Sequence, residues 1–143
     1  MSITSANAVL TLSQPTLFPV PVQLQGFAAD DIYDVDQIRS VEASMGVDGV
    51  LSFGFVFAEI MQNISLQADS LSNLFFDNLW SQMQAAKDVY PINGVIILPS
   101  ILTKFSMRNG ALTGYKPIAD AKKTLQPRRY QITWGQVAPS PTL

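Results

Sequence analysis

Residues 38–60 read "IRSVEASMGVDGVLSFGFVFAEI", and the position of Asp48-Gly49 between two alternating runs decides what fold follows. Glycine accepts the positive φ that tight hairpin turns require, so this stretch predicts two antiparallel strands joined at that dipeptide. Beyond the turn, Leu51, Phe53, Phe55 and Phe57 fall on one face, and Ser52, Gly54, Val56 and Ala58 on the other. Successive strand residues point to opposite sides, so one side of this hairpin is aromatic. The next run alternates again. Ile60, Gln62, Ile64, Leu66 and Ala68 stand against Met61, Asn63, Ser65, Gln67 and Asp69, which predicts a long strand with one polar face.

Strand signals extend in both directions from there. "AVLTLS" (8–13) and "PVQLQGF" (21–27) read as strands, with Pro19 and Pro21 at a start or an edge. "AADDIYDVDQ" (28–37) is an acidic loop without clean periodicity. On the C-terminal side, "NGVIILPS" (93–100) reads as a buried strand. "LTKFSMR" (102–108) and "ALTGYKP" (111–117) are expected to form a second hairpin through Asn109-Gly110, the strongest short turn signal in the chain. A basic loop, "DAKKTLQPRR" (120–129), leads to "YQITWGQV" (130–137), where Tyr130, Ile132 and Trp134 face one way as in a core strand. The tail "APSPTL" is expected to be extended. No repeat or linker divides the chain, so one domain over 1–143 with extended N- and C-terminal arms is expected.

One segment departs from the strand pattern. "DSLSNLFFDNLWSQMQAAKDVYP" (69–91) places Leu71, Phe75, Leu79 and Met83 at helical spacing, flanked by Leu74, Phe76 and Trp80. Asp69 or Ser70 is the expected N-cap, Lys87 suits the C-terminal end, and Pro91 stops extension. A helix over about 70–88 is therefore expected, with a wide apolar stripe that must be buried. It would plug an open barrel end, or cover an outer sheet face that otherwise exposes phenylalanines. The fold class is mainly β: a sandwich or barrel with a long hairpin and one flanking helix.

Composition narrows the chemistry. The chain has no cysteine and no histidine, which removes disulfides, thiolate sites, the usual general base and the commonest zinc ligand. Hydrophobic residues make up 48% and charged residues 14%, so much of the nominal surface is expected to be covered. No apolar run reaches the roughly 18 residues of a membrane span. The N-terminus lacks the basic and apolar regions of a signal peptide, so a cytoplasmic, unprocessed protein is expected. The net charge of −2 conceals an asymmetry. Residues 1–88 hold ten acidic and two basic side chains; residues 89–143 hold one acidic and seven basic. The halves could pair between copies or neutralise each other within one fold.

The candidate sites for chemistry are weak. Asp30, Asp31, Asp34 and Asp36 lack the register, central Gly and terminal Glu of a calcium loop. Glu42 and Glu59 could supply the two carboxylates of a glycosidase, but both lie in predicted hairpin strands with no sign of a cleft. Gly46, Gly49 and Gly54 lack the strand-to-helix context of a phosphate loop. Asn63-Ile64-Ser65 matches a glycosylation sequon, without meaning in an unexported chain. Lys116, Lys122, Lys123, Arg128 and Arg129 could meet phosphates, but a sequence pI near 4.8 argues against a nucleic-acid binder. No enzymatic activity and no cofactor or metal site are expected.

The order of features resembles a known family. A polar-faced hairpin, "SVEASMGVDGVLSFGFVFAE" (40–59), is followed by "NISLQADSLSNLFFDNLWSQM" (63–83), then "PINGVIILPS" (91–100), and finally "LQPRRYQITWGQVAP" (125–139). This pattern is similar to the tail-tube proteins of contractile-tailed bacteriophages, related in fold to type VI secretion tubes. The resemblance covers about Val20 to Pro139. It implies hexameric rings stacked into a hollow tube inside a contractile virion tail, assembled in the host cytoplasm. It further implies partners: a sheath protein outside, a tube initiator or baseplate at one end, and a tape-measure protein in the lumen. DNA would pass through during genome ejection without specific binding, and no membrane insertion is implied.

Under that reading, polar strand positions are the lumen candidates: Glu42, Ser44, Asn63, Ser65, Gln67 and Asp69. The inter-subunit candidates are the acidic loop (Asp30, Asp31, Asp34, Asp36), the hairpin tip (Met45, Gly46, Val47, Asp48, Gly49) and the basic loop (Lys122, Lys123, Arg128, Arg129). Heterologous ring stacking needs two different complementary faces, and an acidic half with a basic half supplies them. Two other readings fit the same sequence. One is a tube-initiator or baseplate ring that does not polymerise; the other is a small β-barrel that binds an apolar ligand, marked by a cavity inside one subunit.

Overall fold

A computed structural model describes residues 2–28 and 32–141. In chain order it contains β1 (Val9–Gln14), β2 (Phe18–Gln23), β3 (Tyr33–Val35), β4 (Val41–Met45), β5 (Leu51–Phe55), β6 (Ile60–Leu66), α1 (Asn73–Ala86), β7 (Ile92–Leu98), β8 (Thr103–Gly114) and β9 (Arg128–Pro141). Seven strands form one antiparallel sheet in the order β2-β1-β7-β8-β9-β6-β3; β4 and β5 pair separately. The sheet curls back on itself. After β2, the chain crosses to the far side, where Phe27 pairs with Leu66 and Gln67 N–H donates to Gly26 O at 2.7 Å. The expected mainly β sandwich or barrel with one helix is what forms.

Alternation builds the core. Leu10 and Leu12 of β1, Ile64 and Leu66 of β6, Ile92 and Ile96 of β7, and Tyr130, Ile132 and Trp134 of β9 are buried on one face of the curled sheet. Helix α1 lays Phe75, Phe76 and Leu79 into that face. Phe76 stacks on Tyr130 with centroids 4.1 Å apart, and Phe75 meets Phe18 of β2 at 4.6 Å. The helix thus caps the core. It does not cover the hairpin phenylalanines, since Phe53, Phe55 and Phe57 all remain exposed. The stripe is also narrower than its spacing implies, because Leu71 and Leu74 point to solvent at 84% and 58% exposure.

The helix start differs from expectation. Asn73 is the first helical residue, and Ser72 occupies the N-cap position without a side-chain cap bond. Ser72 Oγ instead accepts Gln25 N–H at 2.8 Å, and Ser70 Oγ donates to Gln25 O. Asp69 caps nothing and lies in the turn beyond β6. These serines are spent on tying the helix entrance to the segment after β2, a long-range demand that outweighs local capping. Asn73 completes the knot: its Oδ1 accepts from Tyr130 OH at 2.7 Å and its Nδ2 donates to Gln67 O at 3.0 Å. At the other end, Lys87 takes the left-handed conformation (φ 53°) that terminates many helices.

Asn109-Gly110 is not a hairpin turn. Both residues lie inside the twelve-residue strand β8, which passes from Thr103 to Gly114. Opposite β7, Ile92 pairs with Gly110 and Gly94 with Met107, so Arg108 and Asn109 together face Asn93 as a β-bulge. Asn109 adopts φ 54° there. Gly110 is needed for space: a Cβ on it would lie 2.3 Å from Trp134 Cε3.

The free edge of β2 is blunted. Leu24 N–H donates to Leu10 O, which places even-numbered residues in the bonds to β1 and turns Pro19 and Pro21 outward. Two successive outward positions therefore lack N–H donors, and regular pairing along that edge is blocked.

Candidate functional site

The β4–β5 hairpin is two-faced. Its register pairs Val41 with Phe55, Ala43 with Phe53 and Met45 with Leu51, so every residue of one face is apolar. The other face pairs Glu42 with Gly54 and Ser44 with Ser52. The turn forms as expected: Gly46 N–H donates to Val50 O, Gly49 takes φ 84°, and Asp48 Oδ1 accepts Val50 N–H. All ten strand residues are exposed, with Phe53 at 68% and Phe55 at 72%. The tip residues Met45, Gly46, Val47, Asp48 and Gly49 are exposed as well. An isolated two-stranded ribbon with an uncovered aromatic face is marginal in water and marks an interaction surface.

The solvent side of β3, β6, β8 and β9 is a polar lattice. Asp34 accepts from Arg129 at 2.6 Å and from Asn63 Nδ2 at 2.8 Å. Thr113 bonds Thr133 at 2.9 Å and Gln131 Oε1 at 3.3 Å. Asn63 and Gln131 lie within this lattice, with their neighbours satisfying their amides. Carboxylate and guanidinium neutralise each other there, so the surface is hydrogen-bonding but nearly neutral.

Of the lumen candidates, Asn63 belongs to this lattice, and Glu42 and Ser44 lie on the polar hairpin face. Ser65 does not qualify: it is buried, its backbone bonded to Ile32 O and Ala28 N where the crossing segment meets β6. Gln67 and Asp69 lie past the end of β6, exposed but off the strand. Among the inter-subunit candidates, Asp34 and Arg129 are paired to one another. Asp36, Lys122 and Lys123 are exposed, while Asp30 and Asp31 lie outside the described residues.

Arg128 is no surface residue. It is buried, with Nη2 2.7 Å from Asp77 Oδ1 on α1 and further bonds to the carbonyls of Lys116 and Pro117. Tyr115 donates to the same Asp77, and the guanidinium lies 5.3 Å from the Tyr130 ring centroid. Burial alone would push the Asp77 carboxyl up, but the hydrogen bonds from Arg128 and Tyr115 hold it below the usual value. Burial, more than any neighbour, pushes the Tyr130 hydroxyl up. With Arg128–Asp77 and Arg129–Asp34, the acidic and basic halves of the chain pair partly within the subunit.

The sequence raised an apolar cavity only as the mark of a ligand-binding barrel and named no residue for it; the structure has an apolar trough on the core face of the sheet where the helix does not reach. It has a volume of about 370 Å³ and is lined by Tyr33, Val35, Ile60, Ile96, Phe105 and Trp134, among others. Gln62 also lines it, fully buried, with Oε1 accepting the Trp134 indole N–H at 2.9 Å. Its Nε2 is buried without an acceptor. The polar Gln62 within an apolar alternation is the one signal in the sequence that pointed here.

No helix among the described residues is long and apolar enough to cross a membrane. The family model described as tail fiber protein gp32 matches residues 1–138. No curated protein matches the chain by sequence. Among solved structures, the chain is similar to one in the anti-feeding prophage cap, which terminates its tube, with a TM-score of 0.63 at 11% identity, covering 99% of this chain and 92% of that one. A chain of the sheath–tube complex of an extracellular contractile injection system gives 0.61 at 9% identity, covering 98% and 92%. A chain of the anti-feeding prophage baseplate gives 0.56 at 10% identity, covering 99% and 97%. At such identities the likeness is one of fold. That fold, a curled antiparallel sheet with one helix and a hairpin, is the one the resemblance in the sequence implied.

Proposed function

This chain belongs to the tail fiber protein gp32 family, and from that premise we propose that it is a non-enzymatic ring subunit of a contractile tail, stacking into the inner tube. The observation that carries the reading is the β4–β5 hairpin. Its apolar face, Val41, Ala43, Met45, Leu51, Phe53 and Phe55, is complete, in register and uncovered. Nothing among the described residues covers it, and a non-self-complementary contact with a second copy makes a ring where its rotation closes. The fold likeness to cap, sheath–tube and baseplate chains supports the same reading. In the ring, the neutral polar lattice around Asp34, Asn63, Gln131 and Thr133 faces the lumen, where it offers DNA phosphates no net positive charge to hold them. The sheath, a tube initiator or baseplate and a tape-measure protein are the proposed partners, and the virion tail the proposed location.

Electron microscopy of the purified protein across a concentration series, with mass photometry on the same samples, tests this. Hollow tubes are expected at high concentration, with rings of roughly six subunits preceding them. Rings that never stack would assign the chain to the initiator or baseplate instead, a second reading that the likeness to a baseplate chain favours. A single-subunit particle at every concentration would overturn the ring reading.

A further inference from the structure

Two apolar surfaces of the subunit lack a cover, the trough and the hairpin face. The trough is lined in part by Val35, the last residue of β3, and Ile60, the first of β6, which flank the segments leading to and from the hairpin. Asp36 N–H to Met61 O extends the β3–β6 pairing by one bond and Val56 N–H to Ser40 O extends the hairpin by one, and the hairpin remains a separate two-stranded sheet. No residue of the hairpin lines the trough of its own subunit, and both remain open. The trough has the size of a small-ligand site, yet its rim is open, with Val35 48% exposed. Within it, the only buried side-chain polar atom without a partner among the described residues is Gln62 Nε2. The Trp134 N–H is a donor with no acceptor capacity, so it fixes which way the Gln62 amide points and leaves the –NH2 group unanswered.

We propose that the trough seats the hairpin of a second copy of this chain, with Phe53 and Phe55 entering it and Gln62 Nε2 donating to a main-chain carbonyl of that hairpin. The proposal deepens the ring-subunit reading and rests on it. Two observations favour a copy of the same chain. The aromatic face and the aromatic-lined trough occur on one molecule at a fixed offset, which is the requirement for a heterologous contact that propagates. The alternative of joining sheets edge to edge is blocked at β2, where Pro19 and Pro21 turn outward. A carbonyl from an extended ribbon is also the kind of group that an orphaned amide donor requires.

The absence of native cysteine allows a direct test. Phe55→Cys and Val35→Cys are prepared separately; both positions are exposed enough for the subunit to fold. The two are mixed under ring-forming conditions and oxidised, alongside each variant alone and wild type by mass photometry. A disulfide between the two variants, with neither alone cross-linking, is the expected result. Gln62→Leu is expected to weaken association about three- to tenfold, the loss of one ordinary hydrogen bond. Phe55→Cys linking to itself would mean that hairpins pair with hairpins, and would overturn the proposal. Wild-type rings without the mixed disulfide would overturn this docking and leave the ring reading standing. Wild type that stays monomeric throughout would overturn both.

Discussion

Trp134 of β9 donates its indole N–H to Oε1 of Gln62 on β6 over 2.9 Å, and both side chains are fully buried. The bond spans 72 positions of sequence and fixes β6 against β9 inside the core. Trp134→Phe leaves the whole Gln62 amide buried without a partner, and a loss of about 2–4 kcal/mol is expected. Adding Gln62→Leu to that variant should restore part of the loss, because an apolar pair satisfies itself. Urea unfolding at subunit concentrations below assembly measures the cycle; strictly additive losses would mean the bond is not the coupling.

Trp134 also dictates Gly110. With a Cβ at 2.3 Å from the indole, Gly110→Ala forces either the ring or β8 to move. Overpacking of this kind is expected to cost about 2–4 kcal/mol. Asn109, at φ 54°, behaves differently: Asn109→Gly should be neutral within about 0.5 kcal/mol, and Asn109→Val should cost about 1–2 kcal/mol. Thermal unfolding of the three variants ranks them, and equal effects at 109 would refute the left-handed assignment.

The adjacent arginines should separate sharply. Arg128→Ala leaves the partly exposed Asp77 with Tyr115 as a donor but removes its ion pair and the packing on Tyr115 and Tyr130, and about 2–3 kcal/mol is expected. Arg129→Ala breaks a half-exposed pair with Asp34, worth about 0–1 kcal/mol. Similar losses for the two would show that Arg128 is not the internal residue described above.

The Asp77 carboxyl is held below its ordinary value, chiefly by Arg128 and Tyr115 acting against burial. A depressed carboxylate contributes stability that is complete above its unfolded value, near 3.8, and is lost as pH falls through the folded one. Wild-type stability is therefore expected to decline below about pH 4 more steeply than that of Asp77→Asn, which should be weaker at pH 7. Parallel profiles for the two proteins would remove Asp77 as the source.

Much of the fold is legible in the sequence because its signals are local. A turn at Asp48-Gly49 depends on the φ of one glycine, strands on a two-residue alternation, and α1 on a spacing of four; the turn, most strands and the body of the helix appear where those rules put them. The lack of cysteine and histidine closes off whole classes of chemistry without any structure. What tertiary structure decided are the positions where a distant residue outweighs the local rule. Asn109-Gly110 carries the strongest turn signal, yet becomes a bulge because β8 continues along β9 and Trp134 needs the space above Gly110. Ser70 and Ser72 leave the helix cap to hold Gln25, and Arg128 turns inward because Asp77 waits on the helix. Ser65 goes under the crossing segment although its alternation puts it with Asn63. The trough and the bare face of Phe53 and Phe55 are of the same kind: whether an apolar side chain is covered depends on what packs against it, and within this subunit nothing does.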